Sequence, residues 1–228
     1  MALVQVQSVP GRRLGEMANA DEERWTPQMV EAWALASSLL AEQLPRRWAH
    51  SQGVANRALE VGPVVAPTSS ETSLLAQAAI LHDVGYSAVA LETGFHALDG
   101  ARHLRSLGAD GAVVNLVAHH SYAAIEAHER GLDKALAEFP MGPLTLIDGL
   151  IFCDMTVSPD ELLVSVDHRI GEILTRYGPD SVVGHFIARA EPELREAVHR
   201  VAVQLRHAGM ETLAFASLRG DAPASPPT

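Results

Sequence analysis

From Thr26 to about residue 207, apolar residues recur at spacings of three and four, and the alternation expected of half-buried strands is almost absent. Helix punctuation accompanies the pattern. Thr26-Pro27 reads as an N-cap followed by proline at the first helical position, with Met29, Trp33, Ala36, Leu40 and Leu44 as the stripe behind it and Pro45 as its stop. A second helix is expected from about Arg46 to Val61, ended by Gly62-Pro63. "PVVAPTSS" reads as a loop whose Ser69 or Ser70 caps a third helix running to Gly85. Further helices are expected over about 95–107, 111–121, 143–156, 167–177 and 192–207, with Asp110 as a cap and Pro143 and Pro192 near helix starts. The one alternating run, "ALVQVQSV", has no second run to pair with. The expectation is an all-α chain: one helical bundle over 23–208, a flexible segment at 1–22, and a disordered Pro/Ala/Ser-rich tail at 209–228.

A chain of 228 residues suffices for one domain with a real core. Its single cysteine, Cys153, excludes an internal disulfide and fits a reducing compartment. The first twenty residues lack the apolar run of a secretory signal, and no stretch approaches the roughly 20 apolar residues of a membrane span, so a cytoplasmic location is expected. A net charge of −11 argues against broad nucleic-acid binding and against anionic membrane surfaces. It leaves room for a phosphorylated small molecule, because bound metal ions reverse the local sign.

Within this pattern "AILHDVGY" is anomalous, since an apolar helical run ends on adjacent His82 and Asp83. The other histidines, eleven in all, show why it matters. His50 lies on a stripe with Val54, Ala58 and Val61. His96 heads Gly100, His103 and Leu107, where the glycine leaves room for close approach. His120 follows Val113 and Val117, with His119 beside it, and Asp154 continues Ile147, Leu150 and Ile151. Five successive helices thus carry a His or Asp on the face that otherwise packs inward. One such histidine is an ordinary hydrogen-bonded core residue. Buried aspartates are penalised unless paired with a cation or metal, and imidazole plus carboxylate is the ligand set of Zn, Fe, Mn or Co.

"HSQGVANRA" at His50, "LLAQAAILHDVGY" at His82-Asp83 and "DGLIFCDMT" at Asp154 resemble the H…HD…D signature of the HD-domain superfamily, helical bundles that are mostly metal-dependent phosphohydrolases. "FHALDGARHL" and "VAHHSYA" are similar to subfamilies that hold two metals. The resemblance implies one or two divalent transition metal ions (Fe, Mn, Zn or Co). His50, His82, Asp83 and Asp154 would hold the first, and Asp83, the residue assigned to catalysis, would bridge to a second held by His96 and His120 or His119. His120 is favoured by its line with Val113 and Val117; His119 stays open as a ligand, a proton donor or a residue behind the ligands.

Such a site needs positive charge for phosphate oxygens. Arg57, seven residues after His50 and on the same helical face, is the first candidate for substrate binding, with Arg46 and Arg47 next. Two departures from the relatives narrow the substrate. Tyr86 stands where many dinuclear relatives have lysine, and the Gly-Tyr-Pro element of cyclic di-GMP phosphodiesterases is replaced by "SYAAIEAHERGLDKAL". The expected activity is hydrolysis of a phosphoester or phosphoanhydride in a nucleotide-like small molecule. An HD-type diiron oxygenase and a non-catalytic binding or regulatory module are the alternatives.

Overall fold

The computed structural model describes residues 25–215. The alternating run at 2–9, the 1–22 segment and the tail beyond 215 lie outside the described residues. Eleven named helices follow one another. Helix α1 spans Pro27–Leu40, α2 Pro45–Val65, α3 Ser69–Leu81 and α4 His96–Ser106. Helix α5 spans Gly111–His119, α6 Ala123–Arg130, α7 Asp133–Leu136 and α8 Leu144–Met155. Helices α9, Val166–Tyr177, α10, Val182–His207, and the short α11, Glu211–Phe215, complete the bundle. Tighter 3₁₀ turns at Val84–Tyr86 and His120–Tyr122 follow α3 and α5. Among the described residues there is no strand, only an isolated bridge between Val157 and Leu163. No helix there is long and apolar enough to cross a membrane.

Local chemistry explains most boundaries. The Thr26 hydroxyl accepts from the Met29 amide ahead of Pro27, and Asp110, Ser165 and Ser181 cap α5, α9 and α10 in the same way. The cap of α3 is Thr68, not Ser69 or Ser70: its hydroxyl accepts from the Glu71 amide and donates to the Glu71 carboxylate. Proline proved the least reliable stop. Helix α2 starts at Pro45 and runs through Gly62 and Pro63 to Val65, because Val61 and Val65 are buried and its last turns pack closely on α3. Likewise Pro192 lies inside α10. Phe186, Ile187 and Ala190 before it and Leu194, Ala197 and Val198 after it form one buried stripe, whose burial outweighs the lost hydrogen bond. Residues 123–142, between the helices expected over 111–121 and 143–156, are partly helical (α6 and α7), with Gly131 in the left-handed conformation ending α6. Residues 211–215, assigned to the tail from sequence, form α11, which packs on α10 and buries Ala214.

Helix α8 sits at the centre. Every residue from Leu146 to Met155 is buried, Asp148 and Asp154 included, as expected of a helix surrounded by others. It contacts α2, α3 and α10, so its C-terminal end delivers Asp154 to the junction where α2, α3 and the start of α4 meet.

Candidate metal centre

The 3₁₀ turn after α3 determines how close the two halves of the site approach. Gly85 lies directly on the backbone of α4: a Cβ there would stand 1.9 Å from the His96 carbonyl oxygen and 2.6 Å from the Gly100 amide nitrogen. What Gly100 leaves room for is therefore Gly85. This contact seats His96, the first residue of α4, beside Asp83.

Six side chains converge. His50 Nε2 is 3.0 Å from Asp154 Oδ1, and His82 Nε2 is 4.0 Å from that oxygen and 3.6 Å from Asp83 Oδ1. His96 Nε2 lies 3.8 Å from Asp83 Oδ1 and 3.0 Å from His120 Nε2. The ligand atoms of His50, His82 and Asp83 lie within 4.8 Å of one another, and so do those of Asp83, His96 and His120. Asp83 belongs to both groups.

The backbone fixes which imidazole nitrogen faces inward. The Nδ1 atoms of His82, His120 and His50 stand 2.7, 2.6 and 3.3 Å from the carbonyl oxygens of Ala79, Val117 and Ser158. A carbonyl cannot donate, so each Nδ1 carries the proton, and in the neutral ring Nε2 is left as a bare lone pair. Those of His50 and His82 face carboxylate oxygens, an arrangement that is repulsive without a cation. His82 Nε2 is buried and has no hydrogen-bond partner among the described residues. An orphaned imidazole nitrogen held in the ligand tautomer beside two carboxylates is what a divalent transition metal requires, so the residues fit the ion.

The outward oxygens are held by protein. Arg47 Nη1 donates to Asp83 Oδ2 at 2.8 Å, and the Ser121 hydroxyl donates to Asp154 Oδ2 at 2.5 Å. Ser121 does this from left-handed backbone, shared by the following Tyr122, with φ of 51° and 57°, uncommon for residues other than glycine. Arg47 is itself placed by Tyr86, over whose ring its guanidinium carbon lies at 3.2 Å, and by the Tyr177 hydroxyl at 2.8 Å. Tyr86 stacks in turn on His96, at 4.3 Å between centroids.

These contacts set the protonation states. Burial opposes ionisation of Asp83, yet the Arg47 guanidinium, the largest opposing cause, holds the carboxyl well below the usual range. Asp154 is likewise held below the usual range against its burial, the Arg169 guanidinium being the charged neighbour that favours the carboxylate. Burial, then His120, lowers His96; burial, then His82, lowers His120. Both imidazoles are thereby kept neutral and able to coordinate.

Two expected residues lie elsewhere. His119 points its Nε2 at the Phe139 carbonyl, 2.8 Å away, because α5 ends there and the change of backbone at residues 120–122 turns only His120 inward. Arg57 is fully buried two turns beyond His50, where it donates to the Leu213 carbonyl and to Glu60 and lies over Phe152. The arginine at the cluster is Arg47, while Arg46 pairs with Asp160 at the surface. Arg169, Ser121 and Tyr177 were not anticipated. Arg169 reaches the cluster from α9, its Nη2 3.2 Å from His50 Nε2 and 3.5 Å from Asp154 Oδ1. No periodicity in the sequence connects residues 119 apart.

Residues 47–150 match the family model of the HD domain. The chain carries an HD domain. Comparison with curated proteins and with solved structures gave no significant match. The HD match encloses five of the six converging residues. Asp154 falls four residues past its end, on the same helix α8.

Proposed function

We propose that this HD-domain protein hydrolyses a phosphoester or phosphoanhydride of a nucleotide-like small molecule. The observation that carries the reading is the set of bare Nε2 atoms of His50, His82 and His120, fixed by backbone carbonyls and gathered around two carboxylates with Asp83 common to both trios. Held there, one or two divalent transition metal ions (Fe, Mn, Zn or Co) supply Lewis acidity toward a phosphoryl oxygen and lower the pKa of water. Ser121 and Arg47 keep Oδ1 of Asp154 and of Asp83 facing inward. Arg47, half-buried at the rim on the Tyr86 ring, adds the positive charge that favours an anionic substrate. The neighbouring thiol takes no part in attack: Cys153 is buried, and burial pushes it up to about 12.

The test is a panel of nucleoside mono- and diphosphates, dinucleoside polyphosphates and generic phosphodiesters with Mn, Co, Fe and Zn, under air and under nitrogen. Expected is oxygen-independent release of phosphate or nucleotide that vanishes in Asp83→Ala. That variant should lose both ions, whereas His96→Ala should keep the one held by His50, His82 and Asp154. Turnover only with iron and oxygen, or full metal content in Asp83→Ala, refutes the proposal.

A further inference from the structure

The carboxylates of the site divide their oxygens between two tasks, and one arginine breaks the division. Asp83 and Asp154 each give Oδ2 to a protein donor, Arg47 and Ser121 respectively, and turn Oδ1 toward the imidazole nitrogens. Arg47 therefore supports the site from behind. Arg169 does not. Its Nη2 is within 3.5 Å of both His50 Nε2 and Asp154 Oδ1, the two atoms that must coordinate the first ion and that are themselves 3.0 Å apart. No ion can bind both atoms without either displacing this guanidinium or sitting against it.

The rest of Arg169 shows that the position is enforced. The side chain is buried on α9, Nη1 pairs with Glu172 one turn on, and Nε is buried with no partner. A guanidinium with a donor left unsatisfied in the interior is held there by what its other nitrogens touch. Those contacts are Glu172, His50 and Asp154, two of which a metal ion would claim.

We infer that Arg169 is an internal counter-cation occupying the inner face of the His50–Asp154 subsite, so that a divalent ion enters that subsite only by displacing it. The inference rests on the metal-site reading above. Arg169 accordingly sets the ion concentration at which the subsite fills, and the Asp83–His96–His120 subsite, whose inner atoms no arginine touches among the described residues, fills first. The two buried arginines thus have opposite effects. Removing Arg169 tightens binding at the His50–Asp154 subsite, because a like charge within a few ångströms is lost. Removing Arg47 loosens binding, because the Asp83 carboxylate loses the donor that orients it.

The experiment is titration of the chelator-stripped full chain with Mn²⁺ and Co²⁺, by calorimetry and by competition with a chromophoric chelator, for wild type, Arg169→Gln, Arg169→Met and Arg47→Gln. Expected is at least roughly tenfold tighter binding of the ion that fills last in both Arg169 variants, and weaker binding in Arg47→Gln. Equal or weaker binding in folded Arg169 variants overturns the inference while leaving the metal site intact; absence of ion binding by wild type and every variant overturns the site itself. A structure of the wild type loaded with Mn²⁺ supplies a test independent of any variant's folding. It should show Arg169 Nη2 withdrawn from His50 and Asp154, and a guanidinium still within 3.5 Å of both overturns the inference.

Discussion

Replacing Gly85 by alanine isolates the contact that joins the two halves of the site. The added Cβ would stand 1.9 Å from the His96 carbonyl oxygen, 2.8 Å from its carbon and 2.6 Å from the Gly100 amide nitrogen. All three are backbone atoms, so no side chain can rotate away. To restore even 3.0 Å, α4 must retreat from the 3₁₀ turn by about 1 Å. Overpacking of this kind costs about 3 kcal/mol, the upper end of the usual range, which in a domain of this size lowers Tm by about 6–12 °C. The displacement also has a direction. It carries His96 away from Asp83 and leaves His50, His82 and Asp154 on helices that do not move. Thermal denaturation paired with metal stoichiometry reads both effects: a lower Tm, loss of the ion bound through His96, and retention of the other. Gly171→Ala is the control, because nothing lies within 4 Å of that Cβ position in the exposed middle of α9. It should raise Tm by about 1–4 °C, since glycine inside a helix costs about 0.5–1 kcal/mol relative to alanine. A Gly85→Ala protein with wild-type Tm and both ions bound would refute the claim that this contact seats His96.

Acid should destabilise the chelator-stripped protein in two stages. His96 and His120 are held neutral in the fold, so below their unfolded pKa of about 6.5 only the unfolded chain takes up those protons, and stability falls by up to about 1.4 kcal/mol per pH unit for each. Asp83 and Asp154, depressed in the fold, contribute stability that is complete above about pH 4 and lost as pH falls further toward their folded values. Tm measured from pH 7.5 to 3 should begin to drop near 6.5, and a flat profile down to pH 5 contradicts the neutral-imidazole assignment. Cys153, at about 12, should react with iodoacetamide at pH 8 more than about a thousand-fold slower in the native protein than in the unfolded chain. Cys153→Ala should keep its turnover; rapid native alkylation with loss of activity would restore the thiol as a nucleophile.

Periodicity located inward faces well and depth along them poorly. It put α4, α5, α8 and α9 within a residue or two of their observed spans, and it turned His50, His82, His96 and Asp154 toward one junction. Arg57 shares the face of His50, but seven residues carry it about 10 Å along the helix, past the cluster and onto Phe152. Arg47, three residues before His50, lies on the same face in the opposite direction and reaches Asp83. Periodicity favoured His120 over His119 by its line with Val113 and Val117, but the turn that brings it inward was beyond periodicity. It depends on two consecutive left-handed residues, Ser121 and Tyr122, neither of them the glycine or asparagine that would announce such a turn.

The structure also changes which residues carry the case for a metal. From sequence, buried carboxylates required a cation, and Asp83 and Asp154 implied an ion. In the fold each has an arginine within 3.5 Å, Arg47 and Arg169, so two carboxylates and two guanidinium groups balance with no ion present. Buried charge alone would therefore fit a purely structural salt-bridge network. The imidazoles do not fit one. Arg169 can donate to His50 Nε2, but among the described residues nothing donates to His82 Nε2, which is buried, fixed in the ligand tautomer by the Ala79 carbonyl, and aimed between both carboxylates. A network selected only for stability would give that nitrogen a partner or replace it with an apolar side chain, since an unsatisfied buried acceptor costs about 1–3 kcal/mol. His82 retains that cost, and a divalent ion is a partner that would remove it.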